Sequence, residues 1–202
     1  MNNSLLTSGV ILAGGLARRM NNQDKGLLAY QGKPLVSYAI SAAAQVLDDV
    51  MISANRHLEQ YRCFNWPVLT DQTDSFDGPL AGVLTAMRAT HADVLLVLPC
   101  DCPLVTAAHL RHLINTRINH NADIAVAFDG ERLHPVFLAL KTDLQDSLAS
   151  YLESGQRKVE HWIKLHHCVK ADFSGQAELF ININSMAELS ALESLGLHSA
   201  QH

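Results

Sequence analysis

The chain lacks most of the devices that hold or mark a small protein. It has only four cysteines, at 63, 100, 102 and 168. None stands in a C-x-x-C pair, and Cys100-Asp101-Cys102 is one residue too tight for the usual zinc spacing. They read as reduced thiols of a cytoplasmic protein. Glycine (11) and proline (6) are scarce, and apolar residues reach 48%. That composition excludes collagen, coiled coil and disorder. Long hydrophobic runs are missing too. The uncharged stretch Pro34–Leu47 has 14 residues, too few to cross a bilayer. No basic segment precedes the apolar run Gly9–Ala13, which is the wrong order for a signal peptide. No Walker A loop, G-x-G-x-x-G loop or Ser-His-Asp set occurs. Excess positive charge is also missing. Fifteen cations against 20 acids give −5, so the footprint of a nucleic-acid binder is absent.

The charge that is present is unevenly placed. Residues 1–33 hold four cations (Arg18, Arg19, Lys25, Lys33) and one acid, Asp24. The remaining residues are strongly acidic. At 202 residues the chain can bury about 70% of its unfolded surface without a staple.

Short β-branched runs alternate with helical patterns. Strands are expected at Val10–Ala13, Val50–Ala54, Val68–Thr70 and Val94–Leu98, the last apolar throughout and so buried on both faces. Helices are expected over Pro34–Leu47, Pro79–Thr90, Leu144–Glu153 and from an N-cap at Thr106 to Asn119. Ile124–Phe128 and Val136–Leu140 read as a hairpin about a type I′ turn at Asp129-Gly130. A short strand, Phe180–Ile183, and a helix from Ser185 close the pattern. The alternation predicts an α/β fold: a three-layer α/β/α sandwich, Rossmann-like, with a mostly parallel but mixed sheet. One domain is expected, its first 130 residues or so binding nucleotide and the remainder forming a lobe.

Ligands of open α/β sheets sit beyond the carboxyl ends of the strands. Three loops there have unusual content. Leu12-Ala13-Gly14-Gly15 leads into Arg18, Arg19 and Lys25; paired glycines expose amides that cradle phosphate, and the cations add charge at the same place. Asp101 stands between two prolines just past the apolar strand, where one carboxylate can hold Mg²⁺ together with substrate phosphates and water. Asp71, with Asp74, Asp77 and Gly78-Pro79-Leu80-Ala81-Gly82, forms a third loop open to a flat base or to a plain helix entry. Eleven histidines invite a metal reading, but His109-x-x-His112 and His166-His167 bring no further ligands and read as structural.

Taken together, Leu12–Gly15, Arg18-Arg19-Met20, Asp24-Lys25-Gly26, Gly32-Lys33-Pro34-Leu35, Gly78–Gly82, Pro99-Cys100-Asp101, Asp129-Gly130, His134-Pro135 and Ile181-Asn182-Ile183-Asn184 resemble the molybdenum cofactor guanylyltransferases. These have a fold of the nucleotide-diphospho-sugar transferase type. The resemblance implies transfer of GMP from GTP to the terminal phosphate of molybdopterin, free or molybdenum-loaded, with release of pyrophosphate. It implies that Leu12, Ala13, Gly14, Gly15, Lys25, Ser53, Asp71 and Asp101 meet GTP. Arg19, Lys25 and Asp101 would carry catalysis, with Asp101 on Mg²⁺. His134, Asn182 and Asn184 would face the pterin. Cofactor insertion and acceptor proteins would be partners; nucleic acid and membrane would not. Asn21-Asn22 stands where the family loop usually has glycine, and Ser53 where it often has Asn. Two rival readings remain. One is a cytidylyl or sugar-phosphate nucleotidyltransferase of the same fold. The other is a nucleotide-binding accessory protein without catalysis.

Overall fold

The computed structural model describes residues 5–13, 24–71, 78–181, 183 and 188. β1 (Thr7–Leu12) comes first. A small hairpin of β2 (Ala29–Tyr30) and β3 (Lys33–Pro34) leads into α1 (Leu35–Ala43). Then follow β4 (Asp49–Ser53), α2 (Leu58–Arg62), β5 (Val68–Leu69), α3 (Pro79–Ala89) and β6 (Val94–Pro99). α4 (Ala107–Asn119) precedes β7 (Ile124–Phe128) and β8 (Leu133–Lys141). α5 (Gln145–Glu153), α6 (Val159–Ile163) and β9 (Cys168–Asp172) follow.

Seven strands form one sheet in the order β5-β4-β1-β6-β8-β7-β9. Only β8 runs against its neighbours; the other pairs are parallel. The sheet is therefore mixed and mostly parallel, as expected. β6 lies at its centre, with all six residues buried. Alternate side chains of β6 divide between two cores. Val94, Leu96 and Leu98 pack with α1 and α4, whereas Leu95 and Val97 pack with α3, α5 and α6. Each such side chain contributes about 1.5–3 kcal/mol by leaving water. These two cores make the three layers.

The structure departs from the sequence expectations where tertiary demands override local pattern. The helix expected to reach Leu47 stops at Ala43, and the Val46 and Leu47 amides both turn back to the Ala43 carbonyl. The turn lets Asp48 accept the Thr7 amide at 2.9 Å and so registers β4 beside β1. The hairpin of β7 and β8 forms, but not about a type I′ turn. Only Gly130 has positive φ, at 100°. Asp129 instead closes a longer loop, its carboxylate accepting the amides of Glu131 and Arg132 at 2.9 and 2.8 Å. The strand pairing also slips between Val126 and Ala127. Pro135 falls in the skipped stretch opposite, where its missing N–H costs nothing. The described residues Phe180, Ile181 and Ile183 form no strand. Ala177–Phe180 is a 3₁₀ turn, because Phe180 is drawn into an aromatic cluster with Phe137 and Phe173. The helix expected from Ser185 lies outside the described residues. β9, α2, α6 and the small β2–β3 hairpin were not foreseen.

Thr106 does cap α4, and the cap carries a titratable group. His109, three residues on, accepts the Thr106 amide at its Nδ1 (3.1 Å), the place a Glu or Gln fills in an ordinary capping box. Burial pulls the His109 pKa below its ordinary 6.5, nearby Glu178 opposing and His112 assisting. The folded state therefore binds fewer protons than the unfolded one just below pH 6.5. Stability rises with pH through that window and is fully present above it. Thermal melts of wild type should fall between pH 7.5 and 5.5. His109→Gln, which keeps the cap and removes the titration, should fall less over the same range; an identical fall would exclude the histidine.

Candidate active site

Four parallel strands end along one rim. Backbone bonds tie the exits together: the Ala13 amide donates to Ser53 O at 2.8 Å, Ala54 to Leu69 O at 2.9 Å and Cys100 to Leu12 O at 3.2 Å. Leu12, Ala13, Ser53 and Asp101, at the ends of three strands, thus share one edge. Gly14, Gly15, Arg19, Asn182 and Asn184 lie outside the described residues, as do Arg18, Asp74 and Asp77.

Asp101 stands at the β6 end of this rim. Its residue is only 7% exposed, and burial raises the carboxyl pKa while Lys25 pulls it down. The Lys25 ammonium stands 3.5 Å from Asp101 Oδ2. Two residues 76 apart in sequence are thus brought together. Cys100 and Cys102 flank the carboxylate as buried thiols, their pKa values pushed well up by burial and then by Asp101. They are packing groups, and none of the four cysteines is in a disulfide.

Asp71 is fixed from the side. Its Oδ2 accepts from Asn55 Nδ2 at 2.8 Å, and its own amide donates to Asn55 Oδ1 at 2.9 Å. Its other oxygen, Oδ1, is shielded and meets no donor among the described residues. Ser53 is 4% exposed and lies under α3. Gly82 is the residue that makes room for it: a Cβ there would come 2.5 Å from Ser53 Oγ.

A cavity of about 540 Å³ opens beside β8, lined by Arg132, His134, Phe137, Glu160 and Phe180 among others. His134 stacks on Phe180 with centroids 3.8 Å apart and planes 12° apart. Its Nε2 donates to Asp129 Oδ2 at 2.7 Å. The Asp129 carboxyl is held well below the usual carboxylate range by the Arg132 amide, by His134 and by the Glu131 amide. From Phe180 the chain runs to Ile183, whose amide donates to Asp101 O at 3.3 Å. Three Cα steps span at most about 11 Å, so the cavity and the rim are neighbours.

Sequence reasoning assigned no role to Asn55, Tyr61 or Phe180. Asn55 lies two residues past Ser53, in the run Ser53-Ala54-Asn55, and that amide was the available signal. Tyr61 reaches Asp24 across 37 residues, and nothing local announces it.

Among the described residues no three His, Cys, Asp or Glu side chains gather into a metal cage. Asp101 instead offers a single hard oxygen donor beside a cation. That suits a divalent ion whose remaining ligands come from phosphates and water, not a closed zinc site. Among the described residues no helix is long and apolar enough to cross a membrane.

A family model described as a MobA-like NTP transferase domain matches residues 9–171. A protein of Shewanella sediminis named molybdenum cofactor guanylyltransferase is 44% identical over 182 residues, 90% of this chain and 93% of that protein. In fold, the chain resembles molybdopterin-guanine dinucleotide biosynthesis protein A from Archaeoglobus fulgidus. The TM-score is 0.78 at 18% identity, over 95% of this chain and 98% of that one. It also resembles CMP:2-keto-3-deoxy-manno-octonic acid synthetase complexed with CTP, with a TM-score of 0.73 at 15% identity over 95% and 98%. The identity to the Shewanella sediminis protein extends over most of both chains. Joined to a strand-exit rim that carries Lys25 against Asp101, it shows that this chain is a nucleotidyltransferase and belongs to the molybdenum cofactor guanylyltransferase family.

Proposed function

We propose that this rim is where GMP passes from GTP to the terminal phosphate of molybdopterin, free or molybdenum-loaded. The observation that carries the reading is the Lys25–Asp101 pair at the mouth of β6. A new bond forms between an acceptor phosphate oxygen and the α-phosphorus of GTP. The bond from the α-phosphorus to the bridging oxygen breaks, and pyrophosphate leaves. Two polyanions must be brought together, so the work is charge neutralisation and in-line positioning. A phosphate nucleophile is already ionised near neutral pH, so no general base is needed.

Each residue has a task. The loop that leaves β1 past Leu12 and Ala13, with Gly14 and Gly15, would cradle the phosphates, and Arg19 would add charge there. Lys25 binds the polyphosphate. Asp101 would hold Mg²⁺, which when bound would neutralise phosphate charge. Asp71 Oδ1, shielded and without a donor among the described residues, would accept from the Watson–Crick edge of guanine, which offers adjacent N–H donors. Asn55 orients that carboxylate. Ser53, under Gly82, supports the base side of the site. The cavity beside His134 and Phe180 has the volume for a pterin, with Arg132 and Glu160 at its edge. Asn182 and Asn184 belong to that side. Residues to about 130 serve the nucleotide and the remainder the acceptor. The reaction takes place in the cytoplasm, and the product passes to cofactor insertion and acceptor proteins.

Incubation with molybdopterin, Mg²⁺ and either GTP or CTP tests the reading directly. Product is expected with GTP; turnover with CTP alone would make the chain a cytidylyltransferase. Asp101→Ala in the same assay should lower turnover by about 10²-fold, with little loss of GTP affinity. Undiminished turnover would leave the accessory-protein reading standing. Lys25→Ala should weaken GTP about tenfold to a hundredfold, the scale of a charged hydrogen bond. GMP, which lacks the outer phosphates, should be affected much less, as isothermal titration would show.

A further inference from the structure

We propose that Tyr61, 37 residues from Asp24 in sequence and fully buried, is a positioning residue that sets the reach of Lys25 through Asp24. This rests on the assignment of Lys25 to the polyphosphate. Lys25 begins a 3₁₀ turn, Lys25–Leu27, whose N-cap is Asp24. Asp24 Oδ1 accepts two bonds at once, from the Gly26 amide at 3.2 Å and from the Tyr61 hydroxyl at 2.5 Å. The second has the length of a charge-assisted O–H···O⁻ bond. Burial raises the Tyr61 pKa far beyond the ordinary 10, with Cys100 and the Asp24 bond adding to it, so the phenol stays a donor throughout the working range.

The turn is also pressed flat against its supports. A Cβ on Gly26 would stand 2.5 Å from the Tyr61 hydroxyl and 3.3 Å from Cys100 Sγ. Gly26 thus seats the turn between Tyr61 on α2 and the residue that precedes Asp101. Two anchors fix the backbone from which Lys25 extends: a hydrogen bond to α2 and a close contact with the exit of β6. A lysine side chain is long and rich in rotamers, so its ammonium is placed only as well as the backbone that carries it. Tyr61 makes no bond to the Lys25 side chain in this arrangement; it acts by holding the cap. The chain of contacts runs from α2 through Tyr61, Asp24 and the turn to Lys25 and Asp101.

A buried tyrosine that only filled the core would weaken folding without favouring one ligand over another. A double-mutant cycle separates the two roles. GTP and GMP dissociation constants are measured by titration for wild type, Tyr61→Phe, Lys25→Ala and the double variant. Tyr38→Phe is the control, because it deletes another buried hydroxyl of the same core, bonded to Tyr30 O at 2.7 Å. Tyr61→Phe should weaken GTP about tenfold, on the scale of one hydrogen bond to a charged group. GMP should change less than about twofold, and the double variant should bind GTP no worse than Lys25→Ala. Tyr38→Phe should change neither ligand. Additive losses in the double variant, equal weakening of GTP and GMP, or the same loss in Tyr38→Phe would overturn the proposal alone. Unchanged GTP binding in Lys25→Ala would overturn the polyphosphate assignment, and this inference with it. Should Tyr61→Phe melt below the assay temperature, Asp24→Asn takes its place in the cycle, with the same outcomes for and against.

Discussion

A carboxylate taken out of water at the end of the central strand is the constraint around which the rest is arranged. Asp101 sits beyond a strand buried on both faces, between two buried thiols. Burial disfavours its charge, and the described structure places one ammonium, Lys25, within reach to oppose that. The pair is loose at 3.5 Å, a distance that leaves each group able to exchange its partner for a ligand of opposite charge. A tighter ion pair would be a better structural element and a poorer site. The sheet supplies the rigidity that such a loose pair lacks. β1, β4 and β6 end in register, and backbone bonds between their exits hold the rim as one unit.

The fold was legible where one residue pattern admitted one structure. Val94–Leu98 read as a doubly buried strand, and Thr106 as the cap of the helix that follows it, and both form so. Legibility failed where a segment's partners are distant. Phe180 looked like the start of a strand because it is apolar and flanked by isoleucine; its actual neighbours are Phe137, Phe173 and His134. β9 carries Lys170 and Asp172 within an edge strand, so its alternation is weak, and its place is set by pairing with β7. Asp129-Gly130 promised a two-residue turn, but the Asp129 carboxylate found better use in capping two amides and holding His134.

The candidate site divides in the same way. Asp101 and Asp71 were visible as carboxylates just past strands, and Lys25 as one of three cations beyond a Gly-Gly strand exit. Asn55, Tyr61 and the Phe180 face were not, because their roles lie in long-range contacts: 16 residues from Asn55 to Asp71 and 37 from Asp24 to Tyr61. Charge-bearing groups announce themselves in sequence. The groups that aim them do not, since an aiming residue is an ordinary core or loop residue until its partner is known.

That asymmetry has a mechanistic reason. A transfer between two phosphates needs neither an activated nucleophile nor a covalent intermediate, so the chain has no need for a conspicuous catalytic set. What it must supply is positive charge at fixed points, in a protein whose charge outside the first 33 residues is strongly acidic. Electrostatic stabilisation falls off with distance and is lost when a donor wanders. Catalytic power in such a site therefore resides as much in the tethers as in the charges. The described residues fit that expectation: the Asp24–Tyr61 bond, the Asn55–Asp71 pair and the close seat of Gly26 each restrain the backbone or side chain of a charged group at the rim.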